Sequence, residues 1–305
     1  MQLATSEQTP DEPQPPAAEP HRQGTVVLLP EKARAQRLAL GIDIGGTGVK
    51  AGLVDMDSGA LVGKRLKVAT PQPATVGALA KTVRQLVEPL LRGGQPLDGT
   101  GVAFPAVVRR GVALSAVNVS KEWLYTDVSK IFSEALGREV HSLNDSDAAA
   151  FAEARFGAGR HQSGTTVTAT LGTGVGTGLV IDGTLIPNIE LGCLSVRGKP
   201  AGVRLAKSVR ERKDFSWTSW ARDLEGFVDA LDEAVAPDMV IVGGGISSKA
   251  HYYLPLVRCR PLVVAARLRN NAGIIGAASY AAIHQAQPGS IATSEQLVDA
   301  EAERV

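Results

Sequence analysis

The stretch Leu40-Gly41-Ile42-Asp43-Ile44-Gly45-Gly46-Thr47-Gly48-Val49-Lys50 governs how the rest of the chain is read. An apolar run carrying one acid, Leu38 to Ile44, breaks into a Gly/Thr turn, and a second apolar run, Val49 to Val54, follows with Lys50 beside it. That pattern predicts strand, tight turn, strand. Glycines reach φ > 0 and bring successive N–H groups to one point with no Cβ in the way, which makes a nest for an anionic oxygen. Thr47 adds a hydroxyl and Lys50 a charge. Asp43 sets a carboxylate in an otherwise apolar strand, where burial is costly unless a cation or hydrogen bonds compensate it. In a phosphate site Mg²⁺ and its waters can do so. Taken alone, the stretch fits a plain β-hairpin as well, since glycine turns are common there. It is neither a Walker loop nor a dinucleotide fingerprint, because the G-x-x-x-x-G-K-[ST] spacing is absent and a strand rather than a helix follows.

A second copy raises the weight of the first. Thr166 to Leu171 is apolar and threonine-rich, Gly172-Thr173-Gly174-Val175-Gly176-Thr177-Gly178 reads as the turn, and Leu179-Val180-Ile181-Asp182-Gly183 as strand and a further turn. The first copy continues likewise through Leu53-Val54-Asp55 to Ser58-Gly59. Two such units predict a duplicated α/β architecture with two phosphate-facing hairpins across a cleft.

Composition bounds the rest. A chain of 305 residues suits two domains of ordinary size. It is 44% hydrophobic with 33 glycines, as a turn-rich α/β fold requires, and its net charge of +1 gives no reason to expect nucleic acid or an anionic membrane as partner. The two cysteines, Cys193 and Cys259, are far apart and form no C-x-x-C, so a reducing cytoplasm is expected and a disulfide framework or cysteine-based zinc site is not. No apolar run reaches membrane-spanning length, and the amino terminus lacks the pattern of a signal peptide.

Prolines 10, 13, 15, 16, 20 and 30 among polar residues predict a disordered tail over 1–37. Ala60 to Val68 reads as a third strand. Val76, Leu79, Ala80, Val83, Leu86, Val87 and Leu90 fall at helical spacing, which predicts a helix over Thr75 to Leu91. A strand at Gly101 to Phe104, a hairpin around Arg109-Arg110-Gly111, a helix from Asp127 to Leu136 and a strand at Val140 to Leu143 follow. The second half repeats the order, with a loop from Pro187 to Pro200, a helical region from Val203 to Leu231, strands at Met239 to Val242 and Leu262 to Ala265, and a helix from Gly273 to Ile283. These elements divide the chain into domains over 38–143 and 144–285, with a loose end over 286–305.

Three further stretches can carry chemistry. Asn144-Asp145 stands at the carboxyl end of a strand, where α/β proteins place reactive groups, although Asn, Asp and Ser are also ordinary helix caps. Glu190 lies in a loop with Gly192 and Cys193, where an acid is usually just solvated. Gly243-Gly244-Gly245 after an apolar strand reads either as a flexible turn or as backbone that a ligand approaches closely.

Taken together and in order, Gly41 to Lys50, Asn118-Val-Ser-Lys-Glu-Trp123, Leu143 to Ala149, Leu171 to Thr177, Pro187-Asn-Ile-Glu-Leu-Gly192, Val242 to Ser247 and Ala272 to Ala278 resemble the ROK family of sugar kinases, and its polyphosphate-using branch most. The resemblance covers roughly Leu38 to Ala282. It implies an actin-like ATPase (ribonuclease H-like) duplicated two-domain fold with a cleft between lobes, usually as a homodimer. The implied reaction is transfer of a terminal phosphoryl from polyphosphate, and from ATP as well, to the 6-hydroxyl of glucose. Asp145 then matches the general base. Asn118, Asn144, Asp145, Glu190 and Cys193 match glucose-binding positions. Asp43, Gly45, Gly46, Thr47, Gly48 and Lys50 match the first donor loop, Gly172, Thr173, Gly174 and Gly176 the second, and Gly243 to Gly245 a third donor contact. Mg²⁺ would reach Asp43 through water.

The chain departs from the pattern at several positions. Cys193 stands where relatives usually have a sugar-binding His, and cysteine is a shorter and weaker donor. Ser120 stands where polyphosphate relatives tend to have an acid, and Gly202-Val203 where they tend to be polar. The cysteine-rich zinc motif of many ROK glucokinases is missing, as in the polyphosphate branch, so zinc is not expected. Cys193 and Ser120 motivate a second reading, a catalytically impaired sugar or phosphate sensor. A ROK-type repressor is the weakest alternative, because the prolines over 1–37 forbid the helices of a DNA-binding domain.

Overall fold

The structure, a computed structural model, describes residues 36–286. The expected tail over 1–37 lies outside the described residues except for Gln36 and Arg37, and the expected loose end over 286–305 except for Ala286. Those first two residues are held in place: Gln36 Nε2 donates to Asp55 at 2.9 Å and Arg37 Nε to Asp98 at 2.8 Å.

Strands β1 (Leu38–Ile44), β2 (Gly48–Asp55) and β3 (Leu61–Ala69) form an antiparallel meander. Helix α1 (Val76–Leu91), β4 (Thr100–Phe104), a small hairpin of β5 (Val108–Arg109) and β6 (Val112–Ala113), helix α2 (Val128–Leu136) and β7 (His141–Asn144) follow. Because β4 and β7 add in parallel beside β1, the sheet runs β3-β2-β1-β4-β7. Helix α3 (Asp145–Phe156) leads into a second round of β8 (Thr165–Leu171), β9 (Val175–Ile181) and β10 (Thr184–Ile186). Next come a two-strand hairpin of β11 (Ser195–Val196) and β12 (Lys199–Pro200), then helices α4 (Gly202–Leu205), α5 (Lys207–Lys213) and α6 (Trp217–Val235). The round closes with β13 (Met239–Gly243), α7 (Ala250–Tyr253), β14 (Leu262–Ala265) and α8 (Ala272–Gln285). Its sheet, β10-β9-β8-β13-β14, repeats the order of the first strand for strand.

Side-chain alternation along β1 assigns its two faces. Leu40, Ile42 and Ile44 enter the core shared with α1 and α2, built on Leu79, Val83, Val87 and Phe132 around the buried Trp123. Ala39, Gly41 and Asp43 take the other face, where α8 lies so close that a Cβ on Gly41 would strike the backbone of Ile274. The caps are local in origin. Thr75 accepts from Ala78 N–H at the start of α1, Asp127 from Lys130 N–H at the start of α2, and Gly137 ends α2 at φ 63.

The two central helices are exchanged between the sheets. Helix α3 follows the last strand of the first sheet but packs on β8 and β9 of the second, while α8 follows the last strand of the second and packs on β1 and β4 of the first. They also pack on each other, mostly through alanines and glycine.

Two expectations need correction. The second glycine bend is shorter than its composition implies, because β9 resumes at Val175 and takes in Gly176, Thr177 and Gly178. Glycine at 176 serves close approach rather than turning, since a Cβ there would run into Ser146 of α3. The helical region from Val203 to Leu231 is broken into α4, α5 and α6, with Asp214 in the left-handed region at φ 48 ending α5 and Ser216 capping α6.

Gly276 of α8 faces the carbonyl of Ala148 with no room for a methyl group. An ordinary Gly→Ala change inside a helix stabilises by about 1 kcal/mol. Here Gly276→Ala is expected to destabilise by about 2 kcal/mol or more, as overpacking does. Urea denaturation checks it, and a neutral or stabilising result would refute the packing of α3 on α8.

Candidate active site

Three chain junctions supply the site. The first is the bend between β1 and β2. Gly45 N–H closes it by donating to Gly48 O at 3.0 Å, and Gly48 is buried in β2, which leaves Gly46 and Thr47 exposed at the tip. The second is the bend between β8 and β9, where Gly172 N–H donates to Gly174 O at 3.0 Å and Thr173 and Gly174 form the exposed tip. Helix α5 braces this bend, because Ser208 N–H donates to Gly172 O at 3.2 Å and Ser208 Oγ to Thr173 O at 2.9 Å. The sequence carried no signal for Ser208.

The third junction is the end of β7. Asn144 Oδ1 accepts from the N–H groups of Ser146 and Asp147, so the chain turns into α3 at once and Asp145 becomes the first residue of the helix. Asn144 Nδ2 donates to Ala106 O at 2.9 Å. With both sides of its amide engaged, Asn144 keeps a single N–H for any ligand. Ser146 Oγ lies 2.9 Å from Thr170 Oγ1, just ahead of the second bend. Asp145 is therefore fixed next to that bend, and it is near enough to Asp43, just ahead of the first bend, to feel its charge.

Asp43 and Lys50 are opposite one another in the β1–β2 register, and Lys50 Nζ donates to Asp43 Oδ2 at 2.6 Å. Gly273, in the first turn of α8, abuts the same carboxyl. Buried negative charge is thus offset by an ammonium and by the positive end of a helix. Lys50, read from the sequence as a donor contact, first serves Asp43.

Glu190 heads a 3-10 turn over Leu191–Cys193. Thr177 of β9 grips both sides of it, donating through Oγ1 to Ile189 O at 2.7 Å and accepting from Leu191 N–H at 2.9 Å. Asn188, at φ 61, links the halves by pairing its amide with Val108 N–H and O at 3.0 and 2.8 Å. Its own N–H donates at 2.7 Å to Asp147 Oδ2. Sequence reasoning gave Asn188 and Asp147 no role and Thr177 only a place in the second donor loop, although all three stand inside the quoted motifs.

Asn118 lies against Gly46 of the first bend, its Cβ 3.4 Å from where a Cβ on that glycine would stand. Ser120 caps the turn at Lys121–Trp123. Cys193 is an exposed free thiol. Gly243 completes β13, and Gly244, at φ 74, has its open side 2.7 Å from the backbone of Leu171. Close approach at Gly244 is therefore of chain to chain, while Gly245 sits under the Lys207 side chain.

Electrostatics single out the acids of α3. Burial, and then the nearby charge of Asp43, push the Asp145 carboxyl up to about 7, with Glu190 adding to the rise and hydrogen bonds from Ser146 opposing it. Asp147 is also pushed up to about 7, chiefly by burial and further by Glu190 and Asp145, while its bond from Asn188 pulls the other way. Among the described residues its buried Oδ1 has no partner. Glu190 is open to solvent on one side, yet burial of the other holds its carboxyl above the usual range.

A carboxyl whose folded pKa is raised favours the fold while protonated and withdraws that contribution as pH rises through the folded value. Asp145→Asn removes this titration. The variant is expected to gain thermal stability over the wild type as pH rises from about 4 to about 7, and to lose the advantage below that window. Melting curves across pH check it, and a gap that does not widen with pH would contradict the placement of Asp145.

A family model described as ROK family matches residues 39–188. The chain is 47% identical over 247 residues to the polyphosphate glucokinase of Mycobacterium tuberculosis (strain CDC 1551 / Oshkosh), across 81% of this chain and 92% of that protein. Among solved structures it is similar to the inorganic polyphosphate/ATP-glucomannokinase from Arthrobacter sp. strain KM, with 45% identity, a TM-score of 0.75, and 82% of this chain and 98% of that one covered. A ROK family glucokinase from Streptomyces griseus, in complex with glucose and AMPPNP, has a TM-score of 0.69 at 24% identity over 80% of this chain and 99% of that one. The doubled sheet order with a bend in each half is thus the actin-like fold of sugar kinases, and the chain belongs to the ROK family.

Proposed function

We propose that this protein is a glucokinase that moves the terminal phosphoryl group of inorganic polyphosphate, and also of ATP, to the 6-hydroxyl of glucose. One observation carries the mechanism: Asp145 opens α3 between the two bends with its carboxyl lifted to about 7. A base titrating near the working pH combines a useful ionised fraction with real proton affinity. In the step, Asp145 takes the O6 proton, O6 forms a bond to the terminal phosphorus, and the bridging P–O bond breaks. The donor leaves one phosphate shorter.

Little covalent work falls to the protein in such a transfer, so alignment and charge neutralisation dominate. The exposed N–H groups at the tips, Gly46-Thr47 and Thr173-Gly174, suit phosphate oxygens. Glu190 and Asn118 are offered as the main sugar-hydroxyl partners, with the remaining N–H of Asn144 as a third. A buried polar group left unpaired costs about 1–3 kcal/mol, which gives such partners their selectivity.

Mg²⁺ belongs to the same reading. Among the described residues no group of three or more His, Cys, Asp or Glu could hold a metal alone. The donor set fits an ion held mainly by phosphate oxygens and keeping its waters, one of them within reach of Asp43. Bound there, it would neutralise charge on the donor. Two free cysteines favour a cytoplasmic setting, and no described helix is long and apolar enough to cross a membrane. A homodimer is expected from the resemblance and is open to light scattering. The sensor alternative, raised by Cys193, is favoured by neither the site nor the relatives.

Purified protein with glucose, Mg²⁺ and either donor should yield glucose 6-phosphate, and silence with both would defeat the proposal. Asp145→Asn should lower kcat by about 100-fold or more while glucose still binds. In the wild type kcat/KM should fall below about pH 7 as Asp145 takes up its proton, and a flat profile through that range would remove Asp145 as the base. Recovery of turnover by Cys193→His in an otherwise silent enzyme would favour the sensor instead.

A further inference from the structure

Just ahead of α8 lies a cavity of about 600 Å³ that the mechanism does not use. It is bounded by Arg65 of β3 and by the segment Ala265 to Asn271 that joins β14 to α8, so Arg65, Arg267 and Arg269 are its charged groups and no acid lines it. All three arginines are exposed. Among the described residues no carboxylate forms an ion pair with Arg267 or Arg269.

The cavity is built rather than incidental. Glu153, fully buried on α3, accepts from the N–H groups of Arg267 at 3.1 Å and Leu268 at 2.7 Å. Arg65 Nη1 donates to Asn271 Oδ1 at 2.8 Å and to Asn270 O at 3.4 Å. The same helix that presents Asp145 therefore fixes the arginine segment, and β3 fixes its other wall.

Position connects it to the donor site. Asn271 is two residues from Gly273, which touches the Asp43 carboxyl. Along the sheet face, Lys67 of β3 is the register partner of Lys50 and rests against Gly48 of the first bend. Arg65 stands two residues further along, where β3 bulges away from β2, and its bond to Asn271 brings it to the side of the sheet that α8 covers. With Lys50 committed to Asp43, Lys67 at the first bend and Arg65 with the Arg267–Arg269 segment at the cavity are the cations on the way outward from that bend.

We infer that this cavity is a distal phosphate subsite, holding the trailing phosphates of a polyphosphate chain whose end is seated between the bends. The inference rests on the donor assignment above and extends it. Guanidinium groups match phosphate in the two-pronged geometry that ammonium lacks. No aromatic ring lines the cavity to stack on a base, so an all-phosphate ligand fits its walls better than a nucleotide does.

The test is Arg267→Ala/Arg269→Ala, two exposed changes outside the reacting centre, compared with wild type using long-chain polyphosphate, tripolyphosphate and ATP. The KM for long chains should rise by about tenfold or more, the scale of losing two exposed ion pairs. KM for tripolyphosphate and ATP, and kcat with every donor, should stay within about twofold of wild type. Arg267→Lys/Arg269→Lys should recover part of the loss, and added salt should weaken long-chain binding more in wild type than in the alanine variant. Equal loss with all donors, or no loss with long chains, overturns the subsite. Calorimetric titration of long-chain polyphosphate alone separates this from the kinase reading. Tighter binding by wild type than by the alanine variant, without turnover, supports the subsite and sinks the reaction; equal binding sinks the subsite even where turnover is robust.

Discussion

The near contact of α3 and α8 is the constraint from which the remaining geometry follows. Both helices run between the sheets, and each approaches a strand of the sheet contributed by the other half at backbone distance. Such approach requires hydrogen or methyl side chains at the crossing points, and the molecule supplies Gly41, Gly101, Gly176, Gly276 and Ala148 there. Protein interiors resist small changes in volume because they are already close-packed. The exchange therefore sets the separation of the two bends, and with it the distance from Asp145 to anything held between them.

A second constraint is electrical. Burial raises the carboxyls of Asp145, Asp147 and Glu190, and neighbouring acids add to the rise at Asp145, through Asp43 and Glu190, and at Asp147, through Glu190 and Asp145. Among the described residues, Asp43 alone of these four acids is ion-paired, with Lys50. A site with this balance receives added positive charge readily and has a carboxylate with real affinity for a proton, both of which suit transfer from a highly charged donor to an alcohol. Asp147 contributes by other means. It fixes Asn188, and through that amide it ties the β5 hairpin to the loop that carries Glu190.

Much of this was legible in the sequence, for identifiable reasons. The strand–bend–strand units declare themselves because glycine and threonine interrupt apolar runs at the same place twice, and helices α1 and α2 because their apolar spacing and caps agree. The order of motifs brought Asp43, Asn118, Asn144, Asp145 and Glu190 into one reading. Glycine was the residue read least well. Its presence signals close approach without naming the partner, so the neighbours of Gly176 and Gly244 in the fold, Ser146 and Leu171, had no sign in the sequence. Ser208, Thr177 and Glu153 act through backbone groups distant in sequence, and one chain without tertiary information carries no mark of such bonds.

Exchange of the central helices has a bearing on biosynthesis. The strands of the first sheet leave the ribosome early, but the helix that seals their inner face is encoded after every strand of the second. Until α8 emerges, the alanine- and glycine-lined side of β1 and β4 is left uncovered, with apolar edges available to other nascent chains. Completion of the first lobe thus waits for the last helix, which makes a rapid pause-free passage through the second half, or shelter by a chaperone, part of what this architecture demands of the cell.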